Sequence, residues 1–223
     1  MAAPGRGVHF VVDTHRKVGY RIARFLVELF VRIWFRPTIS GAGRVPETGP
    51  VLITPVHRSF ADFVFTSVIT DRKLFFMIKD SMWKSRLLGR VLVSVGGFPV
   101  HRESADRQAL LHAEDVLRHD AVLVIFPEGT RQEGPAIEEL LEGAAFLAAR
   151  TGATLVPLGI GNSEKSMPKG SRIPKPLKIK LVVGEPIAAP ERSAAGRVSR
   201  SKVRATNEQL RAALQAAYDE ARS

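Results

Sequence analysis

The sequence predicts an α/β domain with a largely parallel central sheet flanked by helices, and three observations support this fold class. Short apolar runs alternate with segments of helical periodicity beyond Pro37, an order typical of folds in which helices cover a parallel sheet. The chain contains no internal repeat and no linker long enough to separate two domains. Its 223 residues, 45% of them hydrophobic, are enough to bury one core.

The N-terminal part of the chain has the pattern of an amphipathic helix. From Tyr20 it reads YRIARFLVELFVRIWFRP, an apolar stretch with charged residues at Arg21, Arg24, Glu28, Arg32 and Arg36. No uncharged run approaches the roughly 20 residues that span a bilayer, and a signal-peptide cleavage site is missing. We expect residues 1–36 to form a membrane-associating helix region, with its arginines toward headgroups and Trp34 toward acyl chains.

Two other interpretations of this region stay open. An amphipathic helix also packs its apolar face on the core of its own domain, and an Arg-rich, acid-poor start is typical of organelle transit peptides. The membrane interpretation is favoured because the apolar surface is broad and the segment runs directly into the fold. Residues 37–223 are expected to form the single globular domain.

The predicted elements follow in order along this domain. Strands are predicted at 51–55, 74–78, 96–100, 121–126, 154–160 and 179–183. Helices are predicted at about 59–70, 80–93, 104–119 and 136–150, with a polar, Ala-rich helix from about 199 to the end. The Pro- and Lys-rich stretch 161–178 is predicted to be a loop.

The segment HRSFAD places His57 just after the strand at 51–55 and Asp62 five residues later. Functional side chains of α/β enzymes lie at the carboxyl ends of strands. With Ser59 as N-cap, Asp62 falls in the first helical turn and can reach back to His57. A carboxylate that accepts the proton of one ring nitrogen leaves the other free as a general base. Spacing alone also fits a simple capping box, and the same spacing recurs in HRESAD at 101–106.

Four motifs together resemble those of the glycerolipid acyltransferases, most closely the 1-acylglycerol-3-phosphate acyltransferases. They are HRSFAD at 57–62, GGFPVHRE at 96–103, FPEGTR at 126–131 and LVPLG at 155–159, and the resemblance covers about residues 36–190. It implies that His57 and Asp62 are the catalytic pair and that Arg102 binds the phosphate of the acceptor. HRESAD is then part of the second motif, and its His-to-Asp spacing is accidental.

The segment FPEGTR is predicted to form a turn at the end of the strand at 121–126, with Gly129 supplying the backbone freedom that a tight turn needs. We expect Glu128, Gly129, Thr130 and Arg131 to contribute to substrate binding in the cleft that holds His57. Glu128 would accept hydrogen bonds from glycerol hydroxyls, and Arg131 would offer a planar fork to phosphate. The alternative is an exposed ion pair on a turn.

The resemblance implies transfer of a fatty acyl group from acyl-CoA or acyl carrier protein to lysophosphatidate, giving phosphatidate in phospholipid biosynthesis. A G-x-S-x-G elbow and cysteine are both missing, so a covalent acyl-enzyme has no obvious nucleophile. We therefore expect direct transfer, with His57 as general base and backbone amides near the start of the following helix stabilising the carbonyl oxygen. We expect no metal and no cofactor, since the acyl donor is itself a substrate.

Acceptor identity is the least determined part of this interpretation. Many members of the family carry a basic pair before Gly-Ala, where this chain has Leu141-Glu142 before Gly143-Ala144. Glycerol-3-phosphate or another lysolipid is therefore an alternative acceptor. Around the acyl chain we expect contacts from Lys79, Met82, Trp83 and Phe98, although a core-facing stripe fits the helical members equally well.

The net charge of +11 predicts an anionic partner. The basic stretch from Lys165 to Lys180 favours lipid or CoA phosphates over nucleic acid, because no nucleic-acid-binding motif is present. We expect a peripheral or monotopic protein on the cytoplasmic face of the cell membrane; the sequence does not indicate an oligomeric state. A non-catalytic lipid-binding protein of the same fold is the alternative from another functional class.

Overall fold

A seven-stranded, largely parallel sheet forms the centre of the protein. The computed structural model describes residues 18–79, 96–100, 107–168, 171, 173–191 and 198–223. The strands are β1 (Thr38–Ser40), β2 (Val51–Pro55), β3 (Leu74–Lys79), β4 (Gly97–Val100), β5 (Val122–Val124), β6 (Thr154–Gly161) and β7 (Lys180–Val183). Their order across the sheet is β1-β7-β6-β2-β5-β3-β4, and of the strand pairs only β6 with β7 is antiparallel within the described residues.

The central strands read as uninterrupted apolar runs because helices cover both of their faces. Every residue of β2 is buried, as is every residue of β5, and β6 is buried from Leu155 onward. Strands of this kind are typical of parallel sheets in α/β proteins. The carboxyl ends of β2 and β5 therefore lie side by side at one edge of the sheet, and the segments that follow them are brought together.

The helices of the described residues are α1 (Val18–Trp34), α2 (Asp62–Phe65), α3 (Arg107–Arg118), α4 (Gly143–Thr151), α5 (Ser163–Ser166) and α6 (Arg200–Arg222). A 3₁₀ turn, Thr66–Val68, continues α2. Helix α6 packs along β6 and β7, and α3 packs against α4. The main core joins both faces of the sheet and includes Leu52, Phe65, Leu123, Leu158 and Tyr218.

The α/β class and the predicted strands are confirmed, whereas several helix boundaries were wrong. The helix predicted at 59–70 is reduced to α2 and its 3₁₀ turn, because residues 57–61 wrap around the Asp62 carboxylate instead of turning helically. The helix predicted at 136–150 begins only at Gly143. Residues before it hydrogen-bond to other elements, as Ile137 N–H does to Gln215 and Leu141 N–H to the carbonyl of Pro127.

Smaller differences occur elsewhere in the chain. The short edge strand β1 was not predicted, since three residues carry little periodic signal. The predicted loop at 161–178 contains the single helical turn α5. The helix predicted at 80–93 and the start of the one predicted at 104–119 lie outside the described residues.

Helix α1 packs on the protein through a narrow stripe and exposes a broad apolar face. Val31 and Phe35 are fully or almost fully buried, and Phe35 makes an edge contact with Phe65 at 4.9 Å between ring centroids. The exposed apolar residues are Ile22, Phe25, Leu26, Leu29, Phe30, Ile33 and Trp34. Among the described helices, none is both long and apolar enough to span a membrane.

The prediction that the arginines of this N-terminal helix lie toward headgroups was wrong for Arg24. Its guanidinium pairs with Glu28 and donates to the carbonyls of residues 67, 70, 71 and 72, at the end of the 3₁₀ turn after α2. Burial opposes the charge, but the hydrogen bond to Glu28 and the further interactions with Tyr20 and Glu28 together outweigh it and raise the pKa of Arg24. Arg24 thus fixes α1 to the segment that carries Asp62, whereas Arg21, Arg32 and Arg36 are exposed.

Candidate active site

His57 lies two residues beyond the last residue of β2, at the carboxyl edge of the sheet. Its Nδ1 is 3.1 Å from Asp62 Oδ2, and its side chain is 13% exposed. The imidazole stacks on Phe126, which follows β5, with ring centroids 4.2 Å apart and planes 30° apart. The aspartate and the phenyl ring together fix both the direction and the plane of the imidazole.

Asp62 is the centre of a tight turn, and its side chain is fully buried. Besides His57, its Oδ2 accepts hydrogen bonds from the backbone N–H groups of Arg58 and Ser59, each at 2.7 Å. Ser59 was predicted to cap the helix, yet the helix begins at Asp62 and the Ser59 hydroxyl accepts from Ala61 N–H instead. This turn satisfies buried amide donors and directs the carboxylate toward the imidazole.

Four of the backbone amides in the segment predicted to stabilise the carbonyl oxygen of the acyl donor are already engaged. The N–H groups of Arg58 and Ser59 donate to Asp62, Ala61 N–H donates to the Ser59 hydroxyl, and Asp62 N–H donates to the Ser59 carbonyl. A donor already used in a buried hydrogen bond is not free for an oxyanion. These four amides therefore serve the turn itself.

Glu128 differs from its predicted environment. The sequence suggested an acceptor for glycerol hydroxyls, but the side chain is 1% exposed and both oxygens accept from Arg58 Nη1, at 2.8 and 2.7 Å. Its Oε1 also accepts from the backbone N–H of His57 at 2.8 Å. The alternative of an exposed ion pair with Arg131 does not describe it either, since the pair is buried and its cation is Arg58. Sequence reasoning missed Arg58, although it stands next to His57 in HRSFAD.

The rest of FPEGTR forms a turn that closes against the histidine loop. Gly129 has φ of +73°, a conformation that glycine adopts without strain. Thr130 and Arg131 are exposed, and Gln132 N–H donates to the His57 carbonyl at 2.8 Å. The structure therefore places Arg131 on the turn that contacts His57, with its side chain in solvent.

Several predicted site residues lie outside the described part of the chain, wholly or in their side chains. Arg102, Met82 and Trp83 lie outside the described residues, and at Lys79 and Phe98 only the backbone is described. Strand β4, which precedes Arg102, lies three positions from β2 in the sheet, a separation of about 14 Å. The acyl-chain contacts predicted for Lys79, Met82, Trp83 and Phe98 stay predictions.

Leu141 and Glu142, which precede Gly143-Ala144, have different surroundings. Leu141 is 61% exposed, and its Cδ1 lies 2.6 Å from where a Cβ on Gly129 would be, so it lies against the FPEGTR turn. Glu142 forms an exposed ion pair with Arg204 of α6. The apolar residue is thus the one beside the turn. Within the described part of the chain, no cluster of three or more His, Asp or Glu side chains could hold a metal ion.

The geometry at the end of β2 suits general-base chemistry. A carboxylate that holds Nδ1–H leaves Nε2 of the same ring able to take a proton from an alcohol, and the carboxylate then stabilises the imidazolium. A neighbouring turn carries an exposed arginine capable of pairing with phosphate.

A comparison with family models finds that residues 36–161 match the model described as Acyltransferase. The chain belongs to the acyltransferase family. One curated relative, the chloroplastic 1-acyl-sn-glycerol-3-phosphate acyltransferase LPAT1 of Arabidopsis thaliana, is 25% identical over 84% of this chain and 54% of its own length. The 1-acyl-sn-glycerol-3-phosphate acyltransferase of Bacillus subtilis is 26% identical over 64% of this chain and 69% of its own.

The family fold is also seen in a solved structure. The crystal structure of the 1-acyl-sn-glycerophosphate acyltransferase PlsC from Thermotoga maritima matches this acyltransferase-family chain with a TM-score of 0.72. The match covers 96% of this chain and 89% of the other at 20% identity. The chain spans about half the length of the plant relative named above.

Proposed function

We propose that this protein is a membrane-associated O-acyltransferase that transfers a fatty acyl group from acyl-CoA or acyl carrier protein to lysophosphatidate, giving phosphatidate. The observation that carries the proposal is the 3.1 Å contact between His57 Nδ1 and the buried Asp62 carboxylate, beside the FPEGTR turn. Family membership and relatives named for this reaction support the choice of acyl transfer.

The proposed mechanism is direct transfer without a covalent intermediate. His57 Nε2 takes the proton of the acceptor hydroxyl as the oxygen attacks the thioester carbonyl. The tetrahedral intermediate then collapses, the carbon–sulfur bond breaks, and the thiolate of CoA or of the carrier protein leaves and is protonated. Asp62 stabilises the imidazolium between the two proton transfers.

Acceptor binding is proposed for Arg102, Thr130 and Arg131, and Gly129 forms the turn that presents Thr130 and Arg131. An exposed guanidinium beside the histidine loop fits a phosphomonoester, since it can bind two phosphate oxygens at once. Glycerol-3-phosphate and other lysolipids stay alternative acceptors, because Leu141 places an apolar side chain against the same turn.

The surface of α1 supports association with an anionic membrane. Its exposed face carries seven large apolar side chains, and the whole chain carries a net charge of +11. Trp34 Nε1 donates to the carbonyl of Pro174 at 3.1 Å, and Ile173 next to it is 76% exposed. Apolar residues at a bilayer interface with basic residues around them are typical of monotopic proteins. We propose a position on the cytoplasmic face of the membrane, with no nucleic-acid partner, metal or cofactor.

The test is an acyl-transfer assay with the purified protein. Labelled acyl-CoA is offered with lysophosphatidate, glycerol-3-phosphate or another lysolipid, and release of free CoA thiol is followed alongside formation of the acylated lipid. We expect phosphatidate as the main product, and His57→Ala should lower turnover by on the order of a thousandfold or more.

As a control, the circular dichroism spectrum of His57→Ala should match that of the wild type. This shows that the variant is folded. Binding of lipid by a wild-type protein that gives no product with any acceptor or donor would indicate the non-catalytic alternative. Unchanged turnover in His57→Ala would remove the histidine from the mechanism.

A further inference from the structure

Arg58 forms hydrogen bonds to several segments of the chain around the candidate active site. Its guanidinium donates to the carbonyls of His57, Gly134 and Ala136 in addition to both oxygens of Glu128. The side chains of Arg58 and Glu128 are each only 1% exposed. Arg58 therefore ties the histidine loop to the turn after β5 and to the chain beyond that turn.

Helix α6 closes this arrangement from the other side. The Arg58 guanidinium carbon lies 5.0 Å from the ring centroid of Tyr218, which is 1% exposed. Burial raises the pKa of the Tyr218 hydroxyl, and the Glu164 carboxylate raises it further, so the ring stays neutral. A neutral aromatic face over a cation is an attractive contact that strengthens when water is excluded.

The backbone of His57 is held at both of its polar groups. Its N–H donates to Glu128 Oε1, and its carbonyl accepts from Arg58 Nη1 and from Gln132 N–H. The Asp62 contact fixes the ring, but the position of the whole residue depends on these backbone bonds. Small displacements of a reacting group are costly, since an error of about 1 Å can lower a rate by roughly a hundredfold.

We propose that Arg58 and Glu128 are positioning residues: their buried ion pair, covered by Tyr218, fixes the His57 backbone where its imidazole meets the acceptor hydroxyl. The inference rests on the proposed function. It gives Glu128 a role that does not require contact with substrate, which agrees with its lack of exposure. It also gives α6, which begins more than 130 residues after HRSFAD in the chain, a part in shaping the site.

Variants can separate a positioning role from a stabilising role, because removing one partner of a buried ion pair affects stability differently from removing both. Loss of one partner leaves an uncompensated buried charge, whereas apolar replacement of both partners is often neutral for stability. Glu128→Leu should therefore lower the melting temperature, and Arg58→Met/Glu128→Leu should recover most of it. We expect kcat to stay about a hundredfold below wild type in both variants, with the KM of the acceptor changed less than about threefold.

Glu128→Gln provides the conservative rescue. Its side-chain oxygen can still accept from His57 N–H, so it should retain more kcat than Glu128→Leu. The control is Glu114→Gln, at a carboxylate of similar burial (5% against 7% residue exposure) that pairs with Arg118 and Arg150 instead. It should lower the melting temperature and leave kcat unchanged.

Hydrogen exchange of the His57 amide tests the inference without any turnover. The amide should be protected in wild type and Glu128→Gln and exchange faster in Glu128→Leu and the double variant. Wild-type kcat in the double variant, a loss confined to KM, or an equally protected His57 amide in Glu128→Leu would each overturn the proposal. A wild type without turnover but with this exchange pattern would count against the proposed function and leave the positioning role supported.

Discussion

At the scale of single residues, the site depends on how one buried carboxylate is shared. Oδ2 of Asp62 accepts from the His57 ring and from two backbone amides, so the same atom that orients the base also shapes the loop around it. Hydrogen bonds to an ionised acceptor are roughly twice as strong as neutral ones. The catalytic pair and the turn that carries it are therefore one structural unit.

Replacing Asp62 by asparagine tests the charge of this unit. Asp62→Asn keeps an oxygen that can accept from the ring and the two amides but removes the negative charge that stabilises the imidazolium. We expect kcat to fall by about a thousandfold with little change in KM. Steady-state kinetics together with a melting curve measure this, and a fall of less than about tenfold in a folded variant would contradict a charge-dependent role.

At the scale of elements, the short α2 and the long α1 are coupled. Helix α2 ends after Phe65, in a sequence of aromatic and β-branched residues with weak helix propensity. The guanidinium of Arg24 in α1 donates hydrogen bonds to backbone carbonyls at the end of this segment, where the helical hydrogen-bond pattern stops. Phe35 packs against Phe65 from the same side. The element that exposes an apolar face is thus fixed directly to the element that carries Asp62.

The exposed face of α1 predicts a specific effect on membrane binding. Phe25→Glu/Ile33→Glu changes two residues that are 62% and 67% exposed, so the fold should be little affected. Binding to vesicles of phosphatidylglycerol and phosphatidylcholine should weaken by on the order of tenfold or more, because two apolar side chains no longer enter the interface. Co-sedimentation with the vesicles measures the bound fraction.

The matched control is Leu111→Glu, at a 51% exposed leucine on α3. It introduces one negative charge, against two in the α1 variant, on another element and should leave vesicle binding nearly unchanged. Equal weakening by both changes would show that charge, and not the α1 face, determines binding.

At the scale of the whole molecule, α6 and β6 approach so closely that only glycine fits between them. A Cβ on Gly159 would lie 2.1 Å from the carbonyl oxygen of Ala217, and one on Gly161 would lie 1.9 Å from that of Ala221. These contacts are with backbone atoms, which cannot move without displacing the helix. Helix α6 also carries Tyr218, so this close approach positions the ring over Arg58.

Gly159→Ala should therefore be clearly destabilising. Overpacking of this kind costs about 1–3 kcal/mol, and we expect a melting temperature lower by about 5 °C or more. Gly143→Ala is the comparison, because a Cβ there meets no atom within 4 Å and its backbone is helical. That change should be neutral or slightly stabilising. Equal melting temperatures for the two variants would show that α6 can move away from β6 at little cost.

The sequence by itself determined the fold class and the residues at its carboxyl edge. Buried strands at 51–55 and 154–160 are visible as apolar runs, and a spacing of five residues suffices to bring His57 and Asp62 together within one turn. Only the tertiary structure decided which cation pairs with Glu128, which face of α1 is exposed, and why Gly159 is required. Each of these depends on contacts between residues about 50 or more positions apart. Local periodicity carries no information about such contacts, because they are set by how the elements pack.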